Sequence, residues 1–198
     1  FSGAQSLSQR GLLSATPLYW NENGTVLFGA PGHAYPTFEP TQMIAAAPLH
    51  WLGRHLPGVG LVPMVWLFNV LVTAATVPLL FRSSLRLGYK LATSLLLALL
   101  FAFATIALPY ARSFFREPLT TFFLLLALFA LLGKDQQQAR WNALLFGAGV
   151  GGAYATKVST LAAVLPLFLL AIVVLAALPW QRRVQWILWS MAGFCLFA

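Results

Sequence analysis

The sequence predicts an all-α integral membrane protein, a polytopic helix bundle preceded by an outer-face loop that carries a short interfacial helix. Three observations predict it. Of the 198 residues, 60% are hydrophobic and 8% are charged, whereas a water-soluble domain is about half apolar and about a quarter charged. Six apolar runs follow one another with short gaps between them. The basic residues gather mainly in those gaps. A chain so poor in charge cannot cover a water-facing surface, but exposed apolar side chains carry no penalty in lipid.

The runs predict membrane helices over 60–81, 91–109, 118–133, 141–156 and 161–180, with a further one starting at 186 and reaching the end at 198. A span needs about 20 apolar residues, fewer where flanking groups snorkel. The chain opens at Phe1 without a methionine and stops at Ala198 inside an apolar run, which reads as a fragment cut at both ends. Pro63, Pro78 and Pro166 mark kinks or helix ends. Gly147 and Gly151 form a small-xxx-small pair, with Gly149 and Gly152 beside them, and let helices approach closely.

Orientation follows from the positive charges. Arg82, Arg86, Lys90, Lys134, Arg140, Arg182 and Arg183 fall on one side, and Arg10, Arg54, Arg112, Arg116 and Lys157 on the other. The richer side is expected to be cytoplasmic, which leaves loop 1–59 outside. Glu22, Glu39 and Glu117 and all three histidines also lie on the outer side. A protein that concentrates its few polar groups on one face is expected to act there.

The outer loop is not a plain linker. Tyr19, Trp20, Phe28, Tyr35 and Phe38 stand among glycines and prolines, as suits a segment folded on the membrane surface. After Pro40, residues 41–53 predict a short interfacial helix whose apolar face combines Met43, Ile44, Ala47 and Trp51.

Three constellations bear chemistry. Arg112-Ser113-Phe114-Phe115-Arg116-Glu117-Pro118 forms an outer gap between two spans. Two guanidiniums there suit a phosphate; they equally serve as headgroup anchors, with Glu117 at a helix N-terminus that favours a carboxylate. Lys157 sits at the outer end of a span, either snorkelling or aiming its ammonium at a lipid-linked phosphate, with Thr156, Ser159 and Thr160 as hydroxyl donors. His33 to Gln42 places aromatics and amides on a loop, suited to a sugar or headgroup or to holding the loop itself in order. The histidines lack metal-ligand spacing. Asn23-Gly24-Thr25 matches a glycosylation acceptor.

Other classes recede. The net charge of +8 would suit nucleic acid, but its placement in the gaps reads as topology signals, and no nucleic-acid partner is expected. The single cysteine, Cys195, permits no internal disulfide. There is no glycine-rich phosphate loop and no G-x-S-x-G elbow.

At the three constellations the chain resembles the GT-C fold glycosyltransferases that use lipid-phosphosugars. It is most similar to glycosyltransferase family 39, the protein mannosyltransferase-like group, in its bacterial polyprenyl-phosphate-sugar-dependent branch. Tyr35 to Gln42 takes the place of that branch's Tyr-Ser-Lys-Tyr-Gly-x-Gly-Gln stretch, and Ala45 to Gly53 the place of its Leu-Ala-x-Pro-Leu-Tyr-x-Leu-Gly. Phe115-Arg116-Glu117-Pro118-Leu119 is similar to its Phe-x-Glu-Pro-Leu element, and Gly151 to Ser159 to its glycine-rich Thr-Lys-x-Ser element. Thr37 stands where many members have lysine, so a phosphate contact carried by that lysine does not transfer to this chain.

The resemblance implies a GT-C-like bundle and an inverting transfer from a sugar on polyprenyl phosphate. The acceptor would be a lipid, a glycan or a protein met on the non-cytoplasmic face. A catalytic aspartate acting as base is implied upstream of Phe1. Arg112, Arg116 and Lys157 become the candidates for binding the leaving phosphate, with Tyr35, Glu39 and Gln42 shaping the pocket mouth. Glu117 is the candidate catalytic acid within the chain, orienting an arginine or the acceptor or helping to hold a divalent metal; no other cofactor or metal site is implied. A multi-pass protein of the bacterial plasma membrane, in contact with membrane lipids, is the implied setting. The alternative is a multi-pass transporter or a non-catalytic membrane subunit. A transporter would carry polar groups along a mid-span pathway, and here few are found: Asn69, Thr73 and Thr76 in one span, Thr93, Ser94 and Thr105 in the next.

Overall fold

A computed structural model describes residues 26–28, 34–36, 40–56, 58, 60–133 and 139–197. Ahead of the bundle, β1 (Val26–Phe28) and β2 (Ala34–Pro36) pair antiparallel, with Leu27 opposite Tyr35. This hairpin is a small addition to the helical fold that the sequence did not announce. The helices follow: α1 (Thr41–His55), α2 (Leu61–Arg86), α3 (Leu91–Ala104), α4 (Ala107–Ala111), α5 (Glu117–Leu131), α6 (Ala139–Thr156), α7 (Leu161–Ala176) and α8 (Trp180–Phe194). A 3-10 turn, Val158–Thr160, leads into α7.

Two helical segments, Leu61–Arg86 and Val158–Ala176, are long and apolar enough to cross a membrane alone, while α3 and α5 are shorter apolar helices. With 26 residues, α2 is ~39 Å long at 1.5 Å per residue. It therefore carries Arg82 and Arg86 on its last turns, where the sequence had suggested a loop. The expected single helix over 91–109 is broken. Thr105 is extended (φ −121°, ψ 176°), and its hydroxyl donates to Phe101 O and accepts from the Ala107 amide, so the backbone groups freed at the break find partners. The last helix starts six residues earlier than expected, because Pro179 (φ −60°, ψ 150°) ends one helix and opens the next. Arg183 then donates to Ala176 O and Leu178 O, capping the carbonyl end of α7.

The core centres on α6, packed between α5 and α8. The small residues work on two faces. A methyl group on Gly147 would run into the Ser190 carbonyl of α8, and one on Gly151 would lie 2.8 Å from Phe194 O. On the other side, a methyl on Gly149 would lie 2.7 Å from Phe123 O, and one on Gly152 2.5 Å from the Phe123 ring. The close approach expected for the pair at 147 and 151 is thus doubled. Ala127, Ala130, Ala143, Phe146, Val150 and Trp186 fill the cluster these contacts enclose. A second cluster, Ala46, Val65, Phe68, Leu119, Phe123 and Ala153, lies between α1, α2, α5 and α6.

Two charged or polar groups fasten α2 in ways that a topology count does not reveal. Near its C-terminus, the Arg86 guanidinium stacks 3.5 Å over the Phe129 ring and donates to Phe129 O at 2.6 Å. Near its N-terminus, Asn69 is fully buried. Elsewhere, Leu165, Leu169, Ile172 and Val173 of α7 stay exposed, as a lipid-facing helix requires.

Candidate functional site

The end of the bundle that carries Glu117 and Lys157 is assembled by backbone carbonyls held from below. Residues 112–116 link α4 to α5 and form no regular structure, so their carbonyls need donors from elsewhere. Asn69 of α2 supplies them: its Nδ2 donates to Ser113 O at 2.6 Å and to Phe115 O at 2.8 Å. Gln42 of α1 adds a bond from Nε2 to Phe115 O at 2.9 Å and reaches Asn69 Oδ1 at 3.4 Å. A polar side chain in an apolar helix is costly unless it is paired, and here the pairing fixes the loop that presents Arg112, Arg116 and Glu117.

Glu117 is the first residue of α5, ahead of the apolar run that begins at Pro118. Its carboxylate meets the Lys157 ammonium at 2.9 Å across 40 residues of sequence. Burial alone would raise the Glu117 carboxyl. The Lys157 hydrogen bond, the backbone at Glu117 and the charges of Lys157 and Arg116 outweigh it, holding the group below the ordinary carboxylate value. Such a carboxylate is charged at neutral pH and a weak base. The arrangement suits orienting Lys157, whose ammonium keeps two further donors.

Lys157 follows the last residue of α6, and Thr41 of α1 donates to Ala155 O at 2.7 Å. The neighbouring hydroxyls are committed to the backbone: Thr156 donates to Gly152 O at 2.6 Å and Thr160 to Lys157 O at 2.7 Å. Of the three hydroxyls expected near Lys157, Ser159 is the exposed one. Beside Glu117, a cavity of about 250 Å³ is lined by Thr73, Thr76, Thr105, Tyr110 and Thr121 together with the carboxylate itself. Thr73, Thr76 and Thr105, which the sequence leaves scattered over two apolar runs, thus meet next to Glu117.

The structure unites Arg112, Arg116, Glu117 and Lys157 at one end, with Arg112 exposed and Arg116 half-buried. Gln42 joins them in a different place from the pocket mouth expected of it: it is 3% exposed and holds the loop from beneath. Tyr35 pairs with Leu27 through the hairpin backbone, and Glu39 lies outside the described residues. Asn69 is the residue that sequence reading missed, although an amide in an otherwise apolar run was the available signal.

Helix α1 also departs from expectation. Its buried face is Gln42, Met43, Ala46, Ala47, His50 and Gly53, while Ile44 and Trp51 are exposed. One face therefore packs on protein and the other is exposed. Burial first, and the charge of Arg54 second, hold His50 below its ordinary value, so it is a neutral packing residue at pH 7. Among the described residues no three His, Cys, Asp or Glu side chains come together.

The comparisons with known proteins add one finding. The family model described as dolichyl-phosphate-mannose-protein mannosyltransferase matches residues 54–198. No curated protein and no solved structure matches the chain. The match takes in α2 to α8, and with them the arginine loop, Glu117 and Lys157. This integral membrane helix bundle belongs to the dolichyl-phosphate-mannose-protein mannosyltransferase family of membrane glycosyltransferases.

Proposed function

We propose that this chain is the membrane core of a multi-pass, inverting GT-C glycosyltransferase of the bacterial polyprenyl-phosphate-sugar branch. The acceptor, a lipid, glycan or protein, meets the donor at the non-cytoplasmic face. The observation that carries this reading is the Lys157–Glu117 pair at 2.9 Å, set beside the loop that presents Arg112 and Arg116. Displacement at the anomeric carbon leaves the lipid phosphate with the bonding electrons, and fixed positive charge in a partly dry site lowers the energy of that departure. Arg112, Arg116 and Lys157 supply the charge. Glu117 keeps the ammonium aimed, and the cavity beside it leaves room for a substrate group next to the reacting end.

The test is sugar transfer by the full-length protein in lipid nanodiscs, using labelled polyprenyl-phosphate sugars. Arg116→Ala is expected to reduce turnover by about 10²-fold with expression unchanged. Arg82→Ala, at the far end of α2, is expected to stay within about twofold. Equal and small effects of the two substitutions would make Arg116 a headgroup anchor and remove the phosphate site.

A further inference from the structure

At the end of the bundle opposite Glu117 lies a cavity of about 570 Å³. It is lined by Arg140 and Trp141 from the first turn of α6, and by Arg182, Gln185, Trp186 and Trp189 of α8. The four α8 residues are spaced i, i+3, i+4 and i+7, which places them on one helical face. Among the described lining residues there are two arginines and no carboxylate. Arg183, the neighbour of Arg182, is committed to the carbonyl end of α7 at 2.6 and 2.7 Å, so the adjacent arginines have separate tasks.

Trp186 is 8% exposed and also lines a second space. This is an apolar groove of about 290 Å³ between α6, α7 and α8, with walls that include Phe146, Val150, Phe168 and Ile172. A basic, tryptophan-rimmed cavity and an apolar groove therefore share one wall. We propose that the pair forms a binding site for an anionic phospholipid, with the headgroup phosphate between Arg140 and Arg182 and an acyl chain running past Trp186 into the groove. Guanidiniums bind phosphate through directed, paired donors, and tryptophans settle at the headgroup level. A free phosphate would fill the cavity and leave the groove unused; a zwitterionic lipid would fill the groove but bring its own cation to the arginines.

The test is thermal unfolding of the delipidated full-length protein in neutral detergent, with phosphatidylglycerol, phosphatidylcholine or inorganic phosphate added separately. Phosphatidylglycerol is expected to raise Tm by a few degrees at saturating lipid, and the other two to raise it by less than one. The R140Q/R182Q variant is expected to lose that shift, and each single substitution to weaken lipid retention in native mass spectrometry by about tenfold. Arg183→Gln is expected to lower the starting Tm without altering the lipid preference. Single variants that fold normally and retain phosphatidylglycerol as the parent does would overturn the proposal. So would equal shifts with phosphatidylcholine, which would mark a site for any acyl chain, or with inorganic phosphate, which would mark a simple anion site.

Discussion

Replacing Asn69 by leucine tests whether the arginine loop is positioned from within the bundle. Leucine keeps the branching and the number of side-chain heavy atoms while both donors vanish, and its methyl has to withdraw from the carbonyls that the amide meets at 2.6 and 2.8 Å. Phe115 O then keeps the Gln42 amide at 2.9 Å, but Ser113 O loses the 2.6 Å bond that Asn69 gave it. An acceptor stripped of its donor away from water costs about 1–3 kcal/mol, and the lost bond to Phe115 O about 1 kcal/mol more. The sum is about 2–4 kcal/mol, and at 1.4 kcal/mol per tenfold its lower end lowers the population of the ordered loop by about 30-fold. Water entering from the outer surface recovers part of this, so a fall of at least tenfold in kcat/KM is expected for the full-length enzyme, with near-normal expression. Asn69→Leu and Gln42→Leu act on one carbonyl, so their effects should be non-additive by about 0.5 kcal/mol or more. An Asn69→Leu enzyme within twofold of the parent and with the same Tm would show that the loop is held by something else.

Three further outcomes are expected. Gly193→Ala places a methyl group against the Leu144 carbonyl, and such overpacking costs about 1–3 kcal/mol; a drop of several degrees in Tm in detergent checks it, and an unchanged Tm would mean that α6 and α8 separate freely. The Glu117 carboxyl titrates below its ordinary value, so the stabilisation from its ion pair is complete above the ordinary carboxylate range and disappears as pH falls through the lowered folded value. Acid scans of Tm should show that loss in the parent and not in Glu117→Gln, and parallel curves would refute the pairing. Gln137→Cys should be shielded from an impermeant thiol reagent in intact cells and Ser8→Cys should react; the reverse pattern would invert the assigned topology.

The class of fold was legible because it depends on composition and run length, which lipid as a solvent constrains strongly. Element ends were less so. Thr105 breaks a helix inside an unbroken apolar run, since a threonine hydroxyl can serve backbone groups on both sides and no hydropathy pattern records that. The five residues after Trp180 look like a polar gap by composition, yet they are helical, because Pro179 starts the helix and Arg183 folds back to cap its predecessor. Arg116, Glu117 and Lys157 could be picked out as charges bordering spans, but not their meeting: a 2.9 Å contact across 40 residues depends on how α5 and α6 pack, which the glycines between them govern. Gln42 was noticed as the last residue of the 33–42 stretch, but its bond to Phe115 O was not legible, because an amide looks the same in sequence whether it faces a ligand or a carbonyl.

Helix α1 has a mechanical consequence. Its first residue is fastened to Ala155, two residues before Lys157, and its second to Phe115, just before Arg116. The two bonds sit side by side at one tip of a 15-residue rod whose outer face, with Ile44 and Trp51, is unattached to the bundle. A displacement of that tip would act on the backbone beside Lys157 and on the loop beside Arg116 at once.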